Sequence, residues 1–235
     1  MTRTLRTLTF MGALIAGHAA TSEATMFVLG TDAAGNQLIY DQTLDITWYD
    51  YSNPVDTWQN QMDWAASLDV DFGGMLYDDW RLPVTAVPDN TCDFVGAIGF
   101  TCRGSEMGWL YYVALNNAKG GPLSTSFVDG YSGNPASFEH LLAQPYFSST
   151  DESPVQPNQA FYFRFDIGLQ SHTLKASSSL PPLIYGLALR PGFTSTAASD
   201  PEPPPSVPAP EPATWLLVGS GLAAARRLRL PRRAR

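Results

Sequence analysis

Asp69-Val70-Asp71-Phe72-Gly73-Gly74-Met75-Leu76-Tyr77-Asp78-Asp79-Trp80-Arg81-Leu82-Pro83 is the stretch on which the fold reading turns. Gly73-Gly74 reverses the chain, because glycine accepts backbone angles closed to other residues. Asp78 to Pro83 then leads into a new element. Immediately upstream, Trp58, Met62 and Ala65 recur at helical spacing, with Trp64 and Leu68 alongside. This predicts a first helix over 53–68, with Asn53 as N-cap and Pro54 at the first helical position. Its aromatic stripe is expected to pack on a sheet rather than bind a ligand, since stripes at this period normally face a core.

Further toward the N-terminus, 26–29, 38–40 and 46–49 are β-rich runs. Turn chemistry at 32–36 and a short connection at 41–45 make 38–49 a hairpin. Downstream, Ser105 is expected to cap a second helix to about Asn116, with Leu110, Tyr111, Ala114 and Leu115 on its packing side. Runs 146–149, 160–166 and 184–189 read as strands. Phe161 and Phe163 alternate with Tyr162 and Arg164, as a half-buried strand requires. Strands before, between and after two helices define an α+β domain.

A helical segment from Thr57 to Leu68, Gly73-Gly74, Tyr77-Asp-Asp-Trp-Arg-Leu-Pro83, Ser105-Glu106-Met107-Gly108 and Leu110-Tyr111-Tyr112 stand in a fixed order. Phe147-Ser148-Ser149-Thr150, Asn158-Gln159-Ala160-Phe161-Tyr162-Phe163 and Ala188-Leu189-Arg190-Pro191 follow. This succession over about residues 37–192 resembles the Lcl C-terminal domain family. The resemblance implies a C-type-lectin-like fold, with two helices packed on a twisted antiparallel sheet with long loops. It implies a structural role for Asp79, Trp80, Arg81, Leu82, Pro83, Glu106 and Arg190. Members of that family are linked to adhesion and glycan binding. A similar Arg-Leu-Pro word occurs in formylglycine-generating-enzyme-like folds, but no cysteine stands late in this chain, so that oxidation is not implied.

The two ends read as addresses. Residues 1–24 have a basic start (Arg3, Arg6), an apolar run at 8–16 and small residues after it, the pattern of a secretory leader. At the other end Pro210-Glu211-Pro212 precedes an apolar run at 213–225 and six arginines. The order resembles the PEP-CTERM sorting signal, whose holders are cut by an inner-membrane exosortase and passed to the cell surface or exopolysaccharide matrix. That implies export across the inner membrane of a Gram-negative bacterium and a transient transmembrane anchor. The apolar run covers roughly 20 Å as a helix, short for a hydrocarbon core of about 30 Å. Its arginines favour a cytoplasmic C-terminus. The parts are therefore a leader (1–24), a globular domain (25–193), a Pro/Ser/Thr-rich linker (194–209) and the sorting signal (210–235). The linker is expected to be stiff and extended.

Without these ends the chain holds 6 basic against 20 acidic groups, a formal charge of about −14. Such a surface repels nucleic acid and anionic lipid. Cys92 and Cys102, an even pair in an exported chain, predict a disulfide. Catalytic patterns are thin. His140 and His172 fit no metal spacing, and neither a nucleophile elbow nor a phosphate-cradling glycine loop occurs. Asp69, Asp71, Asp78 and Asp79 offer oxygens that together could take Ca²⁺. One of Asp78 and Asp79 is expected to pair with Arg81 or to hold a loop amide. Trp109, Tyr111 and Tyr131 are candidate sugar-stacking aromatics.

The expected function is a non-enzymatic surface or matrix protein that binds polysaccharide. One alternative is a matrix-polymer hydrolase, which needs two carboxylates about 5–10 Å apart in a cleft. Another is structural cargo without a ligand.

Overall fold

The computed structural model describes residues 24–153, 156–175 and 184–195. The expected leader up to residue 23, the linker beyond residue 195 and the sorting signal lie outside the described residues. The chain divides into two units, Met1–Ser199 and Asp200–Arg235, and every described residue belongs to the first. Among the described residues no helix is long and apolar enough to cross a membrane.

The fold is mostly antiparallel sheet with two short helices, an α+β arrangement. Strands β1 (Met26–Thr31), β2 (Gln37–Asp41), β3 (Ile46–Asn53) and β11 (Gly186–Pro191) form a four-stranded sheet in that order. The β2–β3 hairpin closes through Asp41 to Asp45 as expected, with Asp41 opposite Ile46. A three-stranded sheet orders β10 (Leu169–Leu174), β9 (Gln156–Arg164) and β8 (Pro145–Ser153). Two small hairpins, β4 (Val70–Phe72) with β5 (Met75–Tyr77) and β6 (Ser126–Val128) with β7 (Pro135–Ser137), complete the strands.

Period-two alternation gives the four-stranded sheet two buried faces. Ile39, Trp48, Leu187 and Leu189 join one apolar cluster with Met107, Leu110 and Tyr111. Their neighbours Leu38, Tyr49 and Ala188 join another with Ala65, Trp80 and Leu82. The second helix thus covers one face. The first helix, α1 (Trp58–Ala66), and the Trp80-Arg81-Leu82 word cover the other.

Both helices differ from the sequence reading. Helix α1 starts at Trp58, with Thr57 as N-cap accepting from the Asn60 N–H. Asn53 instead ends β3 opposite Gly186 and donates its amide to Gln61 Oε1. The sheet claims the residue that propensity assigned to the helix. The stripe faces the core as expected, but fully buried Gln61 lies in it, donating to the Pro54 carbonyl. A Cβ on Gly186 would sit 2.1 Å from Gln61 Oε1 and 2.9 Å from the Trp64 ring, so either would have to shift to admit one. The second helix is one α-turn, α2 (Glu106–Trp109), continued by a π-helical turn over Leu110–Ala114. Ser105 is its N-cap without a capping bond. Its hydroxyl donates to Asp89 and accepts from Ala86 N–H.

The Arg-Leu-Pro word fills the seam between the two larger sheets. Arg81 exchanges both main-chain bonds with Leu189 of β11, each 2.9 Å. The Pro83 carbonyl accepts from Ser149 N–H (2.8 Å) and Ser148 Oγ (2.9 Å) of β8. Thr194 and Ser195, assigned by composition to the linker, are packed on the body. Thr194 is buried against Arg190 and Thr47, and the Ser195 N–H donates to Tyr77.

Candidate functional site: a cleft beside Trp109

The residues singled out by the Asp-Asp-Trp-Arg-Leu-Pro word form staples. Arg81 does not pair with Asp78 or Asp79; its guanidinium grips Glu106 with two bonds of 2.7 and 2.8 Å. Glu106 also accepts from the Val84 N–H at 2.6 Å. Asp79 pairs with Arg190, at 2.6 and 3.0 Å, and that guanidinium lies 4.5 Å over the Tyr77 ring. Trp80 and Leu82 are core, with the Trp80 indole N–H on the Tyr77 carbonyl. The two planar guanidinium–carboxylate pairs tie the seam to the second helix and to the last strand.

The four acidic residues considered for calcium are not gathered. Asp71 accepts from the Gly74 N–H at the hairpin turn, Asp79 is taken by Arg190, and Asp69 and Asp78 are exposed. Among the described residues the one group of three metal-type side chains with ligand atoms all within 4.8 Å is Asp89, Cys92 and Cys102. The two sulfurs there form the expected disulfide, and Asp89 accepts from Thr91 and Ser105.

Of the three aromatics proposed for stacking, Tyr111 is fully buried core, Tyr131 is exposed, and Trp109 lines a cleft. That cleft, about 760 Å³, is lined by the second helix and β6, together with Met26 of β1. The π turn builds its wall. Leu115 N–H reaches back five residues to the Leu110 carbonyl, at 2.9 Å. The widened turn sets Trp109, Tyr112, Val113 and Asn116 along one side. Such π turns are frequent at functional sites. Asn116 adopts a left-handed φ of 50°, which ends the helix and leaves its amide exposed. Arg103, an exposed residue, also lines it.

Trp109 is anchored from behind. Its indole N–H donates to Asp41 Oδ2 at 3.0 Å, while Asp41 Oδ1 accepts from the Thr43 and Leu44 N–H groups. Burial pushes the Asp41 carboxyl up to about 6, against the lowering effect of those three bonds. Tyr112 donates its hydroxyl to the Gly168 carbonyl and is raised mainly by burial. The side chains lining the cleft include no Asp or Glu, so the carboxylate pair required by the hydrolase alternative is not in this cleft.

One further grouping carried no signal in the sequence. Asp50, Ser52 and His140 come together beside Tyr146. Asp50 is fully buried and accepts the Glu139 and His140 N–H groups at 2.6 and 3.0 Å. Ser52 Oγ meets the His140 main-chain carbonyl and the Tyr146 hydroxyl. The His140 ring reaches the Asp50 main-chain carbonyl. Ser52 therefore bonds to the main chain of His140 and not to its imidazole, which makes the group a turn clamp and not a nucleophile relay.

Comparison of the chain with protein-family models, with curated proteins and with solved structures gives no match in any of the three.

Proposed function

We propose that this chain is an exported, exosortase-processed protein of the cell surface or exopolysaccharide matrix, and that its globular domain is a non-catalytic, lectin-like module for polysaccharide. The observation that carries the reading is the cleft beside Trp109. A half-buried indole held at a fixed angle gives a flat apolar face for a sugar ring, and the exposed Asn116 amide offers both a donor and an acceptor for hydroxyls. The export address rests on the leader and the Pro210-Glu211-Pro212 tail. The lectin-like assignment rests on the order of the sequence words, and the stapling of Arg81 and Arg190 agrees with a structural role for them.

The test is retention of the purified chain on the producing cells' own immobilised exopolysaccharide. Saturable retention, reduced at least fivefold by Trp109→Ala at unchanged far-ultraviolet circular dichroism, is the expected result. Non-saturable or absent retention would leave the domain without this function. The same column run with a chelator checks whether calcium takes any part.

A further inference from the structure

Arg103 is the one charged residue among those that line the cleft. The described residues hold six basic side chains, and five are in ion pairs. Arg81 binds Glu106 at 2.7 Å, Lys119 binds Asp93 at 2.6 Å, and Arg190 binds Asp79 at 2.6 Å. Arg164 binds Asp166, and Lys175 binds Asp151. Among the described residues Arg103 alone has no carboxylate partner. It is exposed, and it lines a cleft whose lining has no acidic group. This is an unusual place for a free guanidinium, because the domain (25–193) carries about −12 and carboxylates are plentiful.

Its backbone is firmly placed. The Arg103 N–H is shared by Thr91 Oγ1 (2.6 Å) and the Thr101 carbonyl (2.8 Å), and Gly104 N–H donates to the same Thr91 hydroxyl. Cys102, the preceding residue, is tied to Cys92. Arg103 is thus carried on a stapled loop that lines the same cleft as Trp109.

We infer that the polysaccharide taken by this cleft bears isolated carboxylates, as a uronic-acid or other acidic sugar at intervals along a largely neutral chain, and that Arg103 is the residue that reads them. The inference rests on the polysaccharide reading above. A planar guanidinium fork matches a carboxylate with two parallel bonds, and stacking on Trp109 would fix the sugar that carries it. A single free cation suits sparse charge. A densely sulfated polymer needs a basic patch, and here the other five cations are already neutralised while the rest of the surface repels polyanions.

The experiment compares the native exopolysaccharide with the same polymer after carbodiimide activation and borohydride reduction, which turns each carboxylate into a primary alcohol. Dextran sulfate serves as the dense polyanion. The expected result is retention on the native polymer, about tenfold weaker retention on the reduced one, and a matching tenfold loss for Arg103→Gln on the native polymer only. Arg103→Gln removes no intramolecular ion pair, so its melting temperature should equal that of the parent chain. Equal retention on native and reduced polymer would overturn the carboxylate inference and leave the polysaccharide reading standing. A reduction-sensitive signal that Arg103→Gln does not change would overturn the assignment to Arg103. Tighter binding to dextran sulfate than to the native polymer would overturn the sparse-charge argument. Retention on none of the three polymers would remove the parent reading and this inference together.

Discussion

Replacing Gly108 with alanine tests the packing on which the cleft depends. Gly108 lies in the α-turn that begins the second helix, and it is buried against the disulfide loop. A Cβ built there would stand 1.7 Å from the Cys102 carbonyl oxygen and 2.8 Å from its carbon. Ordinary carbon–oxygen contact is about 3.2 Å, so helix and loop would have to part by roughly 1.5 Å, far more than close-packed interiors yield without cost. Neither side moves freely. Met107 and Leu110 are locked in the core at 1 % and 0 % exposure, and Cys102 is tied to Cys92. Overpacking of this kind costs about 3 kcal/mol. For a domain of this size that is a fall in melting temperature of about 6–12 °C. Urea denaturation followed by circular dichroism reads the change, and the same substitution in a Cys92→Ser/Cys102→Ser background reads the coupling. Without the cross-link the loop can retreat, so the cost of Gly108→Ala should drop by at least 1 kcal/mol there. A Gly108→Ala chain within about 0.5 kcal/mol of its parent would refute the close approach of the helix to Cys102.

The disulfide by itself, closing ten residues, should contribute about 3 kcal/mol in the chain-entropy account; coincident urea transitions for the oxidised chain and the double serine variant would contradict this. Glu106→Gln should cost about 2 kcal/mol, since it breaks a two-bond grip on Arg81 whose partners are 35 % and 18 % exposed. Asp79→Asn, at a carboxylate 45 % exposed, should cost less than about 1 kcal/mol, and the reverse ranking would be inconsistent with the staple roles. Asp41 has a pH signature. Its carboxyl is raised from 3.8 to about 6 in the folded chain, so the folded state binds this proton more tightly. The resulting stabilisation is complete below about pH 4 and is lost as pH rises through about 6, roughly 3 kcal/mol across the window. Asp41→Asn should flatten that limb of the stability–pH curve, and Trp109 emission in the parent chain should titrate with a midpoint near 6; an unchanged slope would show that Asp41 is not the group responsible.

The residues that could be read from the sequence are those whose partners are near in the chain or whose pattern is periodic. The β2–β3 hairpin was legible because two β-rich runs flank a short connection, and the first helix because Trp58, Met62 and Ala65 keep its period. Its start was not legible. Asn53 has strong cap propensity, but its main chain is opposite Gly186, 133 residues away, and that pairing outweighs the local preference. The partner of Arg81 was misread for the same reason. Neighbouring carboxylates at Asp78 and Asp79 look available, yet the chain runs extended there, and Glu106 comes within reach only once the second helix has docked. The cleft was half visible. Trp109 was among the candidates, but nothing in the sequence separates it from Tyr111, because the widened π turn that sends one outward and the other into the core has no signature of its own.

Much of the chain's acidity is taken up within the fold, and the structure explains why. In a fold rich in irregular loops, many main-chain N–H groups have no ladder to join, and a short carboxylate is the side chain best suited to collect them. Four buried aspartates do this. Asp41 takes Thr43 and Leu44, and Asp50 takes Glu139 and His140. Asp89 takes Thr91, and Asp129 takes Val28, Tyr131 and Ser132. Their titration follows the balance at each site. Burial dominates at Asp41 and Asp50 and raises them; at Asp129 burial is again the largest single effect, but the bonds from Ser132, Val28 and Tyr131 together exceed it and hold the carboxyl below its ordinary value. Several more carboxylates neutralise the five paired cations. Much of the acidic composition is thus internal scaffolding. Among the described cations, the charge that this scaffold leaves over is the guanidinium of Arg103, in the cleft that Trp109 also lines.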